Sequence, residues 1–316
     1  MRLIIPGACG FVGANFLNWI FKSKRSISTF DEIILVDVLQ YGRQIVDPKI
    51  LAHKKISFIK NSIYKGAVLN KVIRKGDVVV HLAADENTFD KPQNRFSSNF
   101  GEYLRTLANK QIDKFIFVST ADVYGINNSN NLVETDVVKP TTIYSANKLA
   151  CEAYLQAYYS MFKFPVTIFR PVTIYGPRQY PGWLIPRVIT RASKNLTIQI
   201  TGDGLVKRDW IYVDDACEVL LKATVSNNNE TVGQVFNLGT GHENTVLEVT
   251  KYILSTLNKS TSLIKFTLPR PGEIPRQITR AIKAKRAFGW KPKTNFLTGL
   301  KKTIDWYKYN FDRQLE

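Results

Sequence analysis

Short apolar runs punctuate the first 170 residues at near-regular intervals. Residues 3–5, 33–36, 56–59, 78–82, 115–119 and 166–169 are rich in valine and isoleucine and almost unbroken by polar positions. Such runs suit parallel strands covered on both faces, since a strand with one wet face alternates apolar and polar. Between them, helical spacing predicts helices near 12–22, 67–74, 99–109 and 143–161. The alternation predicts βαβ units in a doubly wound parallel sheet, a Rossmann-type α/β fold. After Pro171 the texture changes. Pro171, Pro177, Pro181 and Pro186, with Gly176 and Gly182, mark loops. Helices are predicted near 184–194, 214–225 and 245–257, and strands near 197–200 and 235–238, with 283–288 and 297–309 in the C-terminal third. These describe a smaller C-terminal α+β region. The expected division is one domain over 1–172 plus roughly 210–242, and a second over roughly 173–209 and 243–316.

Composition narrows this picture. The 316 residues are 44% hydrophobic and 22% charged, as in an ordinary globular protein with an ample core. No apolar run reaches the roughly 20 residues of a membrane span, and the start lacks the pattern of a secretory signal. The expectation is a cytoplasmic protein with no membrane contact. Cys9, Cys151 and Cys217 are odd in number and far apart, so neither a disulfide framework nor a paired metal site is expected. His53, His81 and His242 are equally scattered, and no metal is expected. The net charge of +18 raises the question of nucleic acid, but the basic residues form no tail or run. An anionic small-molecule substrate accounts for the charge without a nucleic-acid partner.

The first strand runs into Gly7-Ala8-Cys9-Gly10-Phe11-Val12-Gly13. Gly7 permits the tight turn, Gly10 lets backbone approach a pyrophosphate, and Gly13 allows close helix–strand packing. The next helix start offers free N–H groups to the phosphates. The second strand ends at Asp37, which suits the adenosine ribose hydroxyls and repels a 2′-phosphate, so NAD is favoured over NADP; Arg43 nearby weighs the other way. Tyr144-Ser145-Ala146-Asn147-Lys148 places a phenol and an ammonium on one helix face. The lysine favours the phenolate, which can then act as a base near neutral pH. Ser119 and Thr120 end the strand just upstream, where a hydroxyl can share the substrate proton.

In order along the chain, these segments resemble the extended short-chain dehydrogenase/reductase family of nucleotide-sugar epimerases and dehydratases. The resemblance also draws on Val80-His81-Leu82-Ala83-Ala84, Asn99, residues 119–125 and 170–178, Gly202-Asp203-Gly204, and residues 208–215 and 237–241. It implies bound NAD, held by Gly7, Gly10, Phe11, Val12, Gly13, Asp37, Leu82, Ala83, Ala84, Asn99, Ser119, Tyr144 and Lys148. It implies catalysis by Thr120, Asp122, Tyr144 and Lys148. A nucleotide-diphosphate-sugar would meet Thr173, Arg178 and Trp183, with Arg208, Arg270 and Arg276 at its diphosphate. A homodimer through the helices near 99–109 and 143–161 is also implied.

Several stretches are similar to dTDP-glucose 4,6-dehydratases: residues 36–42, 175–181, 184–186, 208–215, 270–272 and 304–307. The chemistry departs from that pattern. Those dehydratases carry Thr-Asp-Glu after the catalytic strand; this chain has Thr120-Ala121-Asp122. GDP-mannose dehydratases and UDP-glucuronate decarboxylases resemble each other in having Thr-Ser-Glu, so one carboxylate can suffice. Thr173, Trp183 and Ser62 replace residues usual in the group, which leaves the sugar and nucleotide open. A 4,6-dehydratase is the expectation. A 4-epimerase is the alternative, followed by a UDP-glucuronate decarboxylase or a weakly active binding protein.

Overall fold

The computed structural model describes residues 1–39, 46–84, 96–127, 129 and 131–310, and for 96–98 the backbone alone. Its strands are β1 Arg2–Pro6, β2 Glu32–Asp37, β3 Ile56–Lys60, β4 Val78–His81, β5 Lys114–Val118, β6 Val166–Pro171, β7 Thr173–Tyr175, β8 Ile198–Thr201, β9 Lys207–Tyr212, β10 Gln234–Leu238, β11 Glu243–Thr245, β12 Ile264–Thr267 and β13 Arg276–Gln277. Its α-helices are α1 Phe11–Phe21, α2 Lys24–Ser28, α3 Pro48–Leu51, α4 Gly66–Val72, α5 Phe96–Asn109, α6 Ile143–Phe162, α7 Leu184–Ser193, α8 Val213–Val225, α9 Val246–Thr256, α10 Ile282–Phe288 and α11 Phe296–Tyr309.

Seven strands form one parallel sheet in the order β10-β6-β5-β4-β1-β2-β3. The order reverses between β1 and β4, the switch point at which open α/β sheets bind ligands. β4 and β6 are buried along their whole length, which explains their lack of alternation. One face packs Phe16, Leu17, Ile20, Val219 and Leu220 against the sheet. The other packs Phe100, Leu104, Leu107, Cys151 and Leu155. Each Å² of apolar surface that these two layers remove from water stabilises the fold by about 25 cal/mol.

The C-terminal region holds a second sheet in the order β11-β9-β13, with β7 also on β9, and the separate pair β8–β12. Its own core joins Tyr175, Ile189, Ile198, Trp210, Ile253, Leu300 and Tyr307. Two features escape the sequence pattern. β9 begins Lys207-Arg208-Asp209, too polar to read as a strand. Beyond the return expected over 210–242, which α8 and β10 make, the chain comes back to the large sheet again at α10, whose Ala284 and Phe288 join the first core layer with Trp290 beyond its end. No helix among the described residues is long and apolar enough to cross a membrane.

Candidate active site

A cleft of about 570 Å³ opens at the carboxyl ends of the sheet strands. Its floor begins at the glycine turn after β1. Gly7 has φ +80°, and a Cβ there would lie 2.5 Å from the backbone nitrogen of Ala83. A Cβ on Gly13 would lie 2.4 Å from the Gly7 carbonyl oxygen. Both positions therefore require glycine for packing. Gly10 differs: it is exposed on the cleft, and a Cβ there meets only the Gly7 oxygen, at 3.3 Å. Gly10 is the N-cap of α1 and supplies no side-chain cap, so the first amides of α1 await an acceptor. Asp37 closes the turn from the other side. Its carboxylate accepts from the Cys9 amide at 2.9 Å and the Leu39 amide at 2.8 Å.

The far wall is built by β5, the turn after it and α6. Thr120 caps a short 3-10 turn over Ala121–Tyr124, its hydroxyl oxygen accepting from the Asp122 amide at 3.1 Å. A Thr142–Ser145 capping box starts α6. This fixes Tyr144 in the first turn and Lys148 one turn on, both on the cleft. The buried Lys148 donates to the Val118 carbonyl at 2.7 Å and lies 4.9 Å over the Phe117 ring.

Of the residues read from the sequence, the cleft gathers Gly7, Gly10, Phe11, Val12, Gly13, Asp37, Leu82, Ala83, Ala84, Asn99, Ser119, Thr120, Asp122, Tyr144, Lys148, Thr173, Arg178 and Trp183. Arg208, Arg270 and Arg276 are not on its lining. Arg270 is exposed. Arg276 pairs with Glu243 at 2.7 Å. Arg208 donates to the Lys207 and Ile274 carbonyls. Burial lowers the pKa of Arg208, while the charges of Asp122 and Glu273 hold it up. Arg43 and residues 40–42 lie outside the described residues.

Sequence reasoning passed over several residues that support the site. Gln277, 2% exposed, donates from Nε2 to Asp122 Oδ1 at 2.7 Å. Beneath Ser119 lies a buried ion pair: Glu152 takes a hydrogen bond from Ser119 and a bidentate set from Arg170, whose Nη1 donates to Tyr124 at 2.9 Å. Burial opposes the Arg170 charge, but the Glu152 hydrogen bonds and charge outweigh it and raise its pKa. His81 is fully buried between the Tyr64 hydroxyl at 2.9 Å and the Tyr103 hydroxyl at 3.2 Å. Burial first, and then Lys148, push its pKa down to about 3, so the ring is neutral. Burial and the Asp37 charge push the Cys9 thiol up to about 12. Among the described residues, no group of three or more His, Cys, Asp or Glu is placed to hold a metal ion.

A glycine turn at the switch point of a parallel sheet, with a Tyr/Lys pair facing it across one cleft, defines a Rossmann-type enzyme of the dinucleotide-binding class. The chain belongs to the NAD dependent epimerase/dehydratase family, whose model matches residues 3–239. It is 31% identical to the low-salt glycan biosynthesis protein Agl12 of Haloferax volcanii over 97% of this chain and 98% of that one. The dTDP-glucose 4,6-dehydratase DesIV of Streptomyces venezuelae, solved with NAD bound, superposes with a TM-score of 0.91 at 27% identity, covering 99% and 98% of the two chains. A UDP-glucuronic acid 4-epimerase of Bacillus cereus, also solved with NAD, gives 0.88 at 25% identity over 98% and 99%. The family is NAD-dependent, and its dehydratases and epimerases are this chain's homologues and structural neighbours.

Proposed function

We propose that this protein is an NAD-dependent nucleotide-diphosphate-sugar 4,6-dehydratase. The carrying observation is Asp122. The described residues lining the cleft include two carboxylates: Asp37 at the glycine turn, and Asp122 beside Thr120 in the turn facing Tyr144 and Lys148. An epimerase needs no base there, whereas a dehydratase must remove the C5 proton.

The uncapped amides of α1 and the open face of Gly10 suit a pyrophosphate, and Asp37 suits the adenosine ribose. NAD, when bound, supplies the hydride acceptor and donor; the chain's own groups handle the protons. Tyr144, with its phenolate favoured by Lys148 and the positive end of α6, takes the C4 hydroxyl proton. Thr120 accepts the Asp122 amide with its oxygen, which leaves its hydrogen to donate toward the same sugar oxygen. Once C4 is a ketone, C5 is acidic. Asp122 takes the C5 proton, the released electron pair forms the C5–C6 double bond, and the C6–O bond breaks. Ala121 is fully buried and supplies no acid, so the hydroxyl leaves as water with the proton that Asp122 gained. C6 then takes the hydride that left C4, and a solvent proton passed through Asp122 restores C5, which removes the double bond. We assign Thr173, Arg178 and Trp183 to the sugar nucleotide. Arg208, Arg270 and Arg276 serve its diphosphate from the C-terminal side. We assign residues 1–172 with 210–242 to NAD, and 173–209 with 243–316 to the substrate. The three buried cysteines, unpaired in the structure, fit a reducing, cytoplasmic setting.

Asp122→Asn tests the reading. A dehydratase loses elimination yet still forms the 4-keto sugar. Unchanged turnover of a sugar isomer instead establishes the 4-epimerase, the second reading, which Ala121 favours by leaving the cleft one acid short.

A further inference from the structure

Asp122 is one methylene shorter than the glutamate usual for its proposed role. A short carboxylate on a tight turn has little reach, so its direction depends on what holds it. The C-terminal segment supplies the hold. Strand β13 pairs with β9 in register Gln277↔Arg208. The chain on either side of Gln277 is pinned to the stretch that follows the Asp122 turn. The Leu132 amide donates to the Ile278 carbonyl at 2.9 Å, the Thr279 hydroxyl donates to the Leu132 carbonyl at 2.7 Å, and the Thr141 hydroxyl donates to the Gly272 carbonyl at 2.9 Å. The Gln277 side chain is therefore presented from a fixed backbone.

We propose that Gln277 is the positioning residue for Asp122 in the proton transfer at C5, a role that rests on the dehydratase reading. Three observations support it. The amide is buried, at 2% exposure, so water does not compete for it. It reaches the carboxylate at 2.7 Å, within the range of strong hydrogen bonds to an ionised acceptor. It engages one oxygen, Oδ1, while the Asp122 amide is held separately by Thr120. That leaves Oδ2 as the oxygen to face C5. Holding a base within a fraction of an ångström of its line of attack is worth orders of magnitude in rate, and a 1 Å error can cost a hundredfold. Gln277 touches neither cofactor nor substrate in this account and acts through Asp122 alone.

The arrangement makes a length argument that experiment can use. Asp122 and Gln277 together span a fixed gap with one short and one long side chain. Exchanging the lengths, in Asp122→Glu with Gln277→Asn, spans the same gap with the same two groups. Each single change mismatches it, by overlap in one case and by a gap in the other.

The test uses the full-length protein loaded with NAD and a nucleotide-diphospho-glucose that it turns over. Gln277→Met keeps the volume and removes the donor; Gln277→Glu is the alternative if the apolar variant fails to fold. The expected result is a fall in kcat for water loss of roughly ten- to a hundredfold with KM little changed. Reduced nicotinamide accumulates on the protein, because C4 oxidation continues while elimination stalls. The Asp122→Glu/Gln277→Asn pair recovers part of what either single change loses. A merely structural role for Gln277 would lower all steps together and give no recovery in the pair. Unaltered elimination in Gln277→Met, beside an Asp122→Asn that forms the 4-keto sugar but loses no water, overturns the positioning role alone. Wild-type protein that isomerises without losing water, or Asp122→Asn that still loses it, overturns the dehydratase reading and this proposal with it.

Discussion

Burial sets the behaviour of single residues more than their identity does. His81 titrates near pH 3 in the folded chain, against about 6.5 when unfolded. The unfolded state therefore binds a proton that the folded state refuses, and stability falls as pH drops from about 6.5 towards 3, by about 1.4 kcal/mol per pH unit from this group. Urea denaturation across that range should show the loss, and His81→Gln should flatten it; an unchanged slope in the variant contradicts the burial argument. Cys9 and Cys151 are both pushed to about 12, and Cys217 is raised by burial as well, so all three hold their protons at neutral pH. A thiol reagent should label none in the native protein and all three in urea; fast native labelling at Cys9, which lines the cleft, would contradict this. Gly7→Ala should destabilise by about 1–3 kcal/mol or more and abolish NAD retention, because its Cβ meets backbone at 2.5 Å. The glycine turn, Asp37 and Ser119–Asp122 were legible because they stand at strand ends, and Tyr144 and Lys148 because they recur one helical turn apart. Gln277 was not, because nothing in its local sequence says that residue 122 lies opposite. Glu152 and Arg170 were missed for the same reason: a buried ion pair across elements leaves no periodic trace.

At the scale of elements, α6 carries the Tyr/Lys pair and must be held against β5. Beside the apolar packing of Cys151 and Leu155, polar contacts hold it there, among them Lys148 on the Val118 carbonyl and Glu152 on Ser119 and Arg170. Glu152→Ala leaves the Arg170 charge buried without its partner and should cost about 3–5 kcal/mol in urea denaturation, far more than a surface pair. A loss below about 1 kcal/mol would mean that Arg170 finds water on its own. The strands of the large sheet were readable because full burial makes them continuously apolar. β9 and β12 were not. β9 opens with polar residues that pair with β11 and β13. β12 is half-buried at Ile264 and exposed at Lys265, Phe266 and Thr267, so its surface reads like a loop.

In the whole molecule the chain crosses several times between the large parallel sheet and the smaller C-terminal sheet. The large sheet presents the glycine turn, Asp37, Tyr144 and Lys148. The C-terminal sheet brings Gln277 and Arg208 to the Asp122 turn from behind the cleft wall. The outer face of α6 is a stripe of small residues, with Ala146, Ala153 and Ala157 exposed beside Tyr154 at 44% and Met161 at 72%. A homodimer through this helix and α5 would cover it. Light scattering should then give twice the 36.0 kDa chain mass, with Ala153→Arg returning the protein to a monomer; a monomeric wild type contradicts the dimer. The reaction itself is the central claim. Purified protein should be incubated separately with UDP-glucose, dTDP-glucose, UDP-N-acetylglucosamine and UDP-glucuronate, and each product weighed by mass spectrometry. The account predicts the loss of one water from one of these sugars, with no added NAD consumed. An unchanged mass with a new sugar isomer, or loss of carbon dioxide from UDP-glucuronate, would contradict it.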